Sequence, residues 1–487
     1  MEALDNGQIV TAIPAGGVTR IHLVGVAGTG MGAFAGMLKA AGFTVTGSDE
    51  NVYPPMSDML REWGIEVFTP YAAENLDRAR PDLVIIGNVI RRVNAEATAV
   101  RERGIPQMSF PSAFGALIAE GKHAVVIAGT HGKTTTSALM GHVLVEAGRD
   151  PTFLVGGVTR NYGGNYRLGQ GGYVVVEGDE YDTSYWDKGP KFLHYRATTA
   201  MLTSVEFDHA DIYRDLPHYE SAYERLGSVL PAHGTLVVSA SYPRAVAIAR
   251  SSTRAHVVTY AWDRSADYIG RDAAFSASGA RFTIDGPAGE STTLTLPMSG
   301  YHNLENATGV YAVARSLGLS PEEIARGFAT FAGVKRRQEP RGEPGGVLVI
   351  DDFAHHPTAV RETILAIRQR YPTRRLWAVF EPRSNTSRRN IHQAEYAAAF
   401  DQADAVVLRL PEPHDKVPVD QQLDVPAIVR DVAARGIAAF AHAEVPALVA
   451  HVTAGARPGD VVLVMSNGAF GGFIPAVLAG LENPPPA

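Results

Sequence analysis

The stretch Ala124-Val-Val-Ile127-Ala-Gly129-Thr130-His131-Gly132-Lys133-Thr134-Thr135 decides how this chain is read. Residues 124–128 are a short apolar run of the kind buried in a parallel sheet. The glycine-bounded turn after it ends in Gly-Lys-Thr and opens into a helix-like stretch, residues 135–147. A turn placed there points backbone N–H groups and the positive end of the helix at phosphates; Lys133 reaches the terminal phosphates and the Thr134 hydroxyl can hold Mg²⁺. Ile127 stands where the usual phosphate-binding pattern has its first glycine. A plain structural turn is the competing reading.

Working outward, the same alternation of strand and helix recurs on both sides. Upstream, residues 21–26 read as a strand, Gly25-Val-Ala-Gly28-Thr-Gly30 as a turn, 31–41 as a helix, and 44–47 as a strand that delivers Ser48 and Asp49. Downstream, residues 173–177 and 200–203 read as strands of the same sheet, and 257–297, rich in Thr, Ser and Gly, as a small β-meander. A third set of strands, 346–350, 377–380, 405–408 and 461–465, follows Gly333. Strands separated by helices predict α/β architecture with doubly wound parallel sheets. At about 150 residues per domain, 487 residues predict three, drawn at 1–120, 121–333 and 334–487.

Composition narrows the function classes. With 45% hydrophobic and 20% charged residues the chain reads as globular. A net charge of −7 gives no general attraction to nucleic acid or to anionic lipid, so any bound anion must be held by local groups. No cysteine is present, which excludes disulfides and thiolate chemistry and fits a reducing cytoplasm. Residues 1–19 lack the apolar run of a signal peptide, and the apolar C-terminal region is broken by Asn467, several glycines and Pro475, so no membrane span is predicted. Pro484-Pro-Pro486 reads as a loose tail.

Five further clusters carry chemistry. Glu177 ends an apolar strand within Val175-Val-Glu177-Gly-Asp179-Glu180, where a carboxylate faces the metal of a bound nucleotide. His209, in Glu206-Phe-Asp208-His209, is either a ligand or a hydrogen-bonding turn residue. Gly28-Thr-Gly30-Met31-Gly32-Ala33 with Asp49 downstream fits a dinucleotide fingerprint, and the same geometry suits any diphosphate joined to a ribose, a UDP-sugar included. Asp351-Asp352-Phe-Ala-His355-His356-Pro357 follows one strand of the third unit; adjacent histidines on an extended chain point to opposite faces, which argues against a two-His metal site. Glu381-Pro-Arg383-Ser384-Asn385-Thr386-Ser-Arg388-Arg389 follows the next, and reads either as a carboxylate-binding loop or as a solvated basic helix start.

Together the turn at 129–134, Glu177, His209, His302-Asn303-x-x-Asn306, Arg337 in Lys-Arg-Arg and Asp352 resemble, in this order, the Mur ligase family over essentially the whole chain. The resemblance implies a three-domain ligase that consumes ATP with Mg²⁺ and forms an amide bond. It implies UDP-N-acetylmuramate on the first domain, with Gly28, Gly30, Met31, Ser48, Asp49 and Asn88 around it. It further implies ATP at Gly129, Thr130, His131, Gly132, Lys133, Thr134, Thr135, Asn303, Asn306, Arg337 and Asp352, and metal at Thr134, Glu177 and His209. Lys133, Glu177, His209 and Arg337 are the implied catalytic residues. The segments Asn51-Val-Tyr-Pro-Pro-Met-Ser57, 206–212, 381–386 and Met465-Ser-Asn-Gly468 resemble the branch that adds the cell-wall peptide L-alanyl-γ-D-glutamyl-meso-diaminopimelate, implying peptide at Arg383, Ser384, Asn385 and Arg388. The L-alanine-adding branch is the alternative. No nucleic acid, membrane or obligate protein partner is implied. Some members carry a carbamylated lysine shortly after the histidine; none stands in residues 210–219.

Overall fold

The structure, a computed structural model, describes residues 6–54, 56–210, 212–411 and 417–482. The tail expected at 484–486 lies outside the described residues. Internal contacts group the chain into two units: residues 1–207, 215–269 and 307–327 form one, and 208–214, 270–306 and 328–487 the other.

The first unit opens with five parallel strands, β1 (Arg20–Val24), β2 (Thr44–Ser48), β3 (Glu66–Phe68), β4 (Leu83–Ile86) and β5 (Gln107–Ser109), in the order β3-β2-β1-β4-β5. Leu23, Val24 and residues 83–86 have no exposed surface, the expected state of strands covered on both faces. The order reverses between β1 and β4, which places a crevice outside their carboxyl ends. The helix after β1 runs Thr29–Ala40, two residues earlier than the glycine spacing suggests.

The second sheet of this unit contains β6 (His123–Ala128), β7 (Thr152–Leu154), β8 (Tyr166–Arg167), β9 (Tyr173–Gly178), β10 (Ala197–Leu202), β11 (Thr235–Ser239) and β12 (His256–Trp262). Their order is β12-β11-β10-β6-β9-β7-β8, all parallel except β8, which runs antiparallel to β7 at the edge. The helix Lys133–Glu146 leaves β6 directly and buries most of its length. The region expected to be a meander from 257 onward begins with β12, which instead extends the parallel sheet beside β11. The meander proper is β13 (Tyr268–Ser276), β14 (Gly279–Asp285) and β15 (Ser291–Leu296), with β14 and β15 antiparallel. The two sheets of the first unit are fastened by Phe114 packed edge-on to Tyr195 at 5.5 Å and by Tyr185 Oη donating to Gln107 Oε1 at 3.3 Å.

In the second unit, β16 (Glu339–Gly342), β17 (Leu348–Asp352), β18 (Leu376–Phe380), β19 (Ala405–Arg409), β20 (Ala438–His442) and β21 (Val461–Met465) lie in the order β16-β17-β21-β18-β19-β20. Only β16 is antiparallel. Alternate residues feed two cores: Ile350, Ala378 and Leu463 join Phe400 and Ile428, whereas Val349, Val379 and Val464 join Phe473 and Val477. Fully burying each such Val, Leu, Ile or Phe contributes about 1.5–3 kcal/mol. The carboxyl ends of β18, β19 and β21 finish side by side at Phe380, Arg409 and Met465.

Candidate active site

The turn after β6 is shaped by one position. Gly129 has φ +124, and a Cβ there would meet Thr203 Oγ1 at 2.3 Å and Ser204 N at 2.8 Å, so no side chain fits. The loop is pinned from β10's carboxyl end: His131 N donates to Ser204 Oγ at 2.9 Å and Thr130 Oγ1 to Glu206 O at 2.9 Å. Lys133 Nζ folds back to donate to Gly129 O at 2.6 Å and to Glu180 Oε2 at 3.0 Å. Burial works to lower the Lys133 pKa, but the carboxylates of Glu180, Asp179 and Glu177 outweigh it and hold the ammonium above its ordinary value. Gly132 caps the helix, Thr134 is buried in its first turn and Thr135 is half-buried beside it.

Glu177 sits opposite Ile127 in the β6–β9 register, and its Oε2 lies so close to Gly156 that a Cβ there would approach to 2.3 Å. Glu180 is 1% exposed and also accepts from Tyr219 Oη at 3.2 Å. Sequence reasoning stopped at Glu177 and missed Glu180 and Tyr219. Glu180 lay in the same motif, whereas nothing local marked Tyr219.

At the other end of this unit, Gly28 and Gly30 are exposed after β1, while Met31 is buried beneath them. Asp49 Oδ2 accepts from Ala27 N at 2.9 Å, which ties the end of β2 to that turn. Ser48 is fully buried and donates to Glu96, so its hydroxyl is spent inside the fold. Glu96, which the sequence did not single out, also accepts from Asn75 and from Ala72 N at 3.2 Å, and meets His22 Nε2 at 3.3 Å. Asn88 is half-buried in the turn after β4. Asn165, from the loop preceding β8, donates to Thr29 O at 3.4 Å, so the second sheet reaches the glycine turn of the first.

In the second unit, His209 has a left-handed backbone, φ 53, and its N–H donates to Asp208 Oδ1 at 2.7 Å. Thr386 Oγ1 donates to the same oxygen at 2.9 Å. Burial would raise the Asp208 pKa, but His209, His355 and His356 hold it well below the ordinary range. Arg337 lies over the Phe353 ring at 4.9 Å, flanked by Arg336 and Gln338, both left-handed at φ 60 and φ 49. Asp352 is buried and accepts from Gln338 N and Ala354 N, each at 2.8 Å; burial raises its pKa against the pull of Arg337. Asn303 is buried, with Nδ2 donating to Ser299 O at 2.7 Å, and Asn306 is half-buried one turn on.

After β18, Glu381 is 4% exposed and accepts from Arg409 at 2.5 Å through Oε1 and from Ser466 at 2.5 Å through Oε2. Arg383 and Asn385 are exposed, Ser384 Oγ donates to Ser387 Oγ at 2.9 Å, and Arg388 is half-buried. The Arg383 guanidinium covers Gly468 so closely that a Cβ there would come within 2.0 Å of it. Within this unit the predicted loop residues therefore gather around the ends of β18, β19 and β21. Arg409 is the member that the sequence did not reveal.

The chain is similar to known proteins along nearly its full length. Residues 20–122 match the description "Mur ligase family, catalytic domain", residues 127–314 "Mur ligase middle domain" and residues 336–468 "Mur ligase, glutamate ligase domain". The UDP-N-acetylmuramate–L-alanyl-γ-D-glutamyl-meso-2,6-diaminoheptandioate ligase of Escherichia coli K12 is 37% identical, covering 95% of this chain and 98% of its own. A UDP-N-acetylmuramate–L-alanine ligase of Rhizobium etli is 32% identical, covering 95% and 97%. The crystal structure of a murein peptide ligase from Psychrobacter arcticus aligns with TM-score 0.71 and 31% identity, covering 96% of this chain and all of its own. On three consecutive domain matches and these full-length likenesses, the chain belongs to the Mur ligase family.

Proposed function

We propose that this protein is an ATP-dependent ligase that joins the lactyl carboxylate of UDP-N-acetylmuramate to the alanyl amine of L-alanyl-γ-D-glutamyl-meso-diaminopimelate, releasing ADP and phosphate in the cytoplasm. The observation that carries the ligase reading is the turn at 129–134, where Gly129 excludes any side chain and Lys133 stands ready among Glu177, Asp179 and Glu180. The peptide as acceptor is supported by the relative in Escherichia coli, whose name gives that substrate. Free L-alanine is the second reading, on the likeness to the Rhizobium etli enzyme.

The chemistry follows from the acid. Oxide is too poor a leaving group for direct amide formation, so the lactyl carboxylate oxygen attacks the γ-phosphorus and ADP leaves, giving an acyl phosphate. The amine nitrogen then attacks the acyl carbon, and inorganic phosphate leaves. The N–H groups of Thr130 and His131 are held by Ser204, which fixes the loop, so the phosphates fall to the Gly132 turn and the amino end of the helix it caps, and Lys133 offsets the charge that builds on the transferred group. The residues present fit a divalent cation, since the Thr134 hydroxyl and the Glu177 carboxylate are hard oxygen donors. Bound Mg²⁺ would neutralise phosphoryl charge. His209, Arg337, Asp352, Asn303 and Asn306 take nucleotide or metal roles in this reading on the motifs they share with the family. Gly28, Gly30 and Asp49, with Asn88 beside them, take the UDP-sugar, the buried Met31 and Ser48 support that turn from within the fold, and Arg383, Ser384, Asn385 and Arg388 take the peptide. The division at 120 and 333 is kept as the functional domain division. A peptide α-amine has an ordinary pKa of about 7.7–8.0, so part of it is already neutral near pH 7.5 and no dedicated base is assigned.

Phosphate release from ATP with UDP-N-acetylmuramate and Mg²⁺, comparing the tripeptide with free L-alanine, tests the reading. Faster release with the tripeptide supports it. Release with L-alanine alone moves the protein to the other branch.

A further inference from the structure

A buried row of hydroxyls runs from the helix Leu216–Val229 to the turn after β6. Tyr219 and Tyr223, one helical turn apart and both buried, bring their Oη atoms within 2.9 Å of each other. Tyr219 Oη also lies 3.0 Å from Thr130 Oγ1 and 3.2 Å from Glu180 Oε1. One phenol therefore touches both the start of the turn and the acid that holds Lys133. A phenol has one hydrogen to donate, and a carboxylate oxygen can only accept. Thr130 gives its own hydrogen to Glu206 O at 2.9 Å. The Tyr219 hydrogen thus goes to Glu180, and Tyr223 supplies the one between the two phenols. Burial, with the Glu180 charge behind it, pushes the Tyr219 hydroxyl well above its ordinary pKa, so that hydrogen stays on oxygen.

The same carboxylate also binds the lysine. Lys133 Nζ is 3.0 Å from Glu180 Oε2 and 2.6 Å from Gly129 O, so two of its three N–H groups point back into the protein. To meet nucleotide phosphates the ammonium has to loosen its hold on Glu180, and a carboxylate that is 1% exposed is costly to leave short of a donor. We infer that Tyr219 is a positioning residue for Lys133: its hydroxyl keeps the Glu180 carboxylate anchored and hydrogen-bonded while the ammonium turns from that acid to the phosphates. The inference rests on the ATP-dependent ligase reading above and deepens it by naming a group that acts on the lysine from behind. Without the hydroxyl, Glu180 depends more on Lys133, and the nucleotide competes against a tighter pair.

The test compares two single-oxygen deletions in the full-length protein, Tyr219→Phe and Tyr223→Phe, alone and with Tyr219→Phe placed in a Glu180→Gln background. Calorimetric titration gives Kd for ATP with Mg²⁺ and, separately, for UDP-N-acetylmuramate; steady-state assays give KM and kcat. Tyr219→Phe should weaken ATP binding and raise its KM about 10-fold, with kcat within about threefold and UDP-sugar affinity unchanged. Tyr223→Phe removes an equally buried hydroxyl from the same row but not the bond to Glu180, so it should change ATP affinity by less than about threefold. In the Glu180→Gln background, where no charge draws Lys133 back, adding Tyr219→Phe should also cost less than about threefold. Three results would each overturn the inference and leave the ligase reading standing: wild-type ATP affinity in Tyr219→Phe, an equal loss in Tyr223→Phe, or the full loss persisting with Glu180→Gln. A Tyr219→Phe protein that melts lower and loses ATP and UDP-sugar affinity together would make the phenol structural, and overturns it too. Wild-type protein that binds no ATP overturns the ligase reading and the inference with it.

Discussion

Lys133 Nζ lies 3.0 Å from Glu180 Oε2, a pair in which the carboxylate is 1% exposed and is shared with the Tyr219 hydroxyl. The ammonium to which the proposed reaction gives the phosphates is thus held in place by an acid that solvent scarcely reaches. Removing it has two effects. Lys133→Ala should lower turnover by about 10²- to 10³-fold, and by stranding Glu180 it should also lower the melting temperature. UDP-N-acetylmuramate should still bind, because the glycine turn after β1 belongs to a different sheet of the same unit. Calorimetric titration with the UDP-sugar alone and a steady-state assay decide this; near-normal turnover would remove Lys133 from the mechanism.

Glu177 lies against Gly156 at the end of β9 and close enough to Lys133 to bias its charge. Glu177→Gln should raise the Mg²⁺ concentration needed for half-maximal rate several-fold, while maximal rate at saturating metal falls less. A metal titration identical to that of the wild type would make Glu177 a structural strand-end carboxylate.

Arg383 has no carboxylate partner among the described residues. Losing a charge-assisted contact costs about 1.5–3 kcal/mol, or roughly 10- to 150-fold. Arg383→Ala should therefore raise the tripeptide KM by that factor with ATP and UDP-sugar unaffected, as read by varying each substrate in turn. An unchanged tripeptide KM would show that the loop at 383–389 does not hold the acceptor.

Glu96 is fully buried; burial raises its pKa, but hydrogen bonds from His22, Ser48 and Asn75 outweigh that and hold it below the ordinary 4.5. A depressed folded-state value means that its ionised form stabilises the fold above about pH 4.5, and that this contribution is lost as pH falls through the lower folded value. Glu96→Gln should cost about 1–3 kcal/mol at neutral pH, and stability should then decline less steeply than in the wild type on acidification below pH 4.5. Urea unfolding at pH 7, 5 and 4 reads both quantities, and parallel pH slopes for the two proteins would refute the assignment.

The parts of this molecule legible in its sequence are those encoded over a few residues. The apolar run 124–128, the glycine turn and the helix start are local chemistry, and the strand and helix formed where that chemistry pointed. Where meaning depends on distant partners, the sequence was silent. Glu96 reads as an ordinary helix acid until folding brings it His22 from 74 residues away and Ser48 from 48. The strand β12 looked like the first arm of a local meander because its neighbours are Thr- and Ser-rich; its partner β11 is a parallel strand about twenty residues upstream. The edge strand β20 was invisible, being short, rich in alanine and half-exposed. Arg409 resembled any arginine ending a strand until β18 and β21 supplied Glu381 and Ser466 beside it.

The guanidinium of Arg383 fills the space that a Cβ on Gly468 would need. The overlap is with the far end of an exposed, flexible side chain, so a residue at 468, 85 positions away in the chain, would push the guanidinium aside rather than break the fold. A single methyl group there therefore acts as a remote dial on where the arginine's charge is presented: Gly468→Ala should leave the melting temperature near that of the parent and change behaviour only while Arg383 is present.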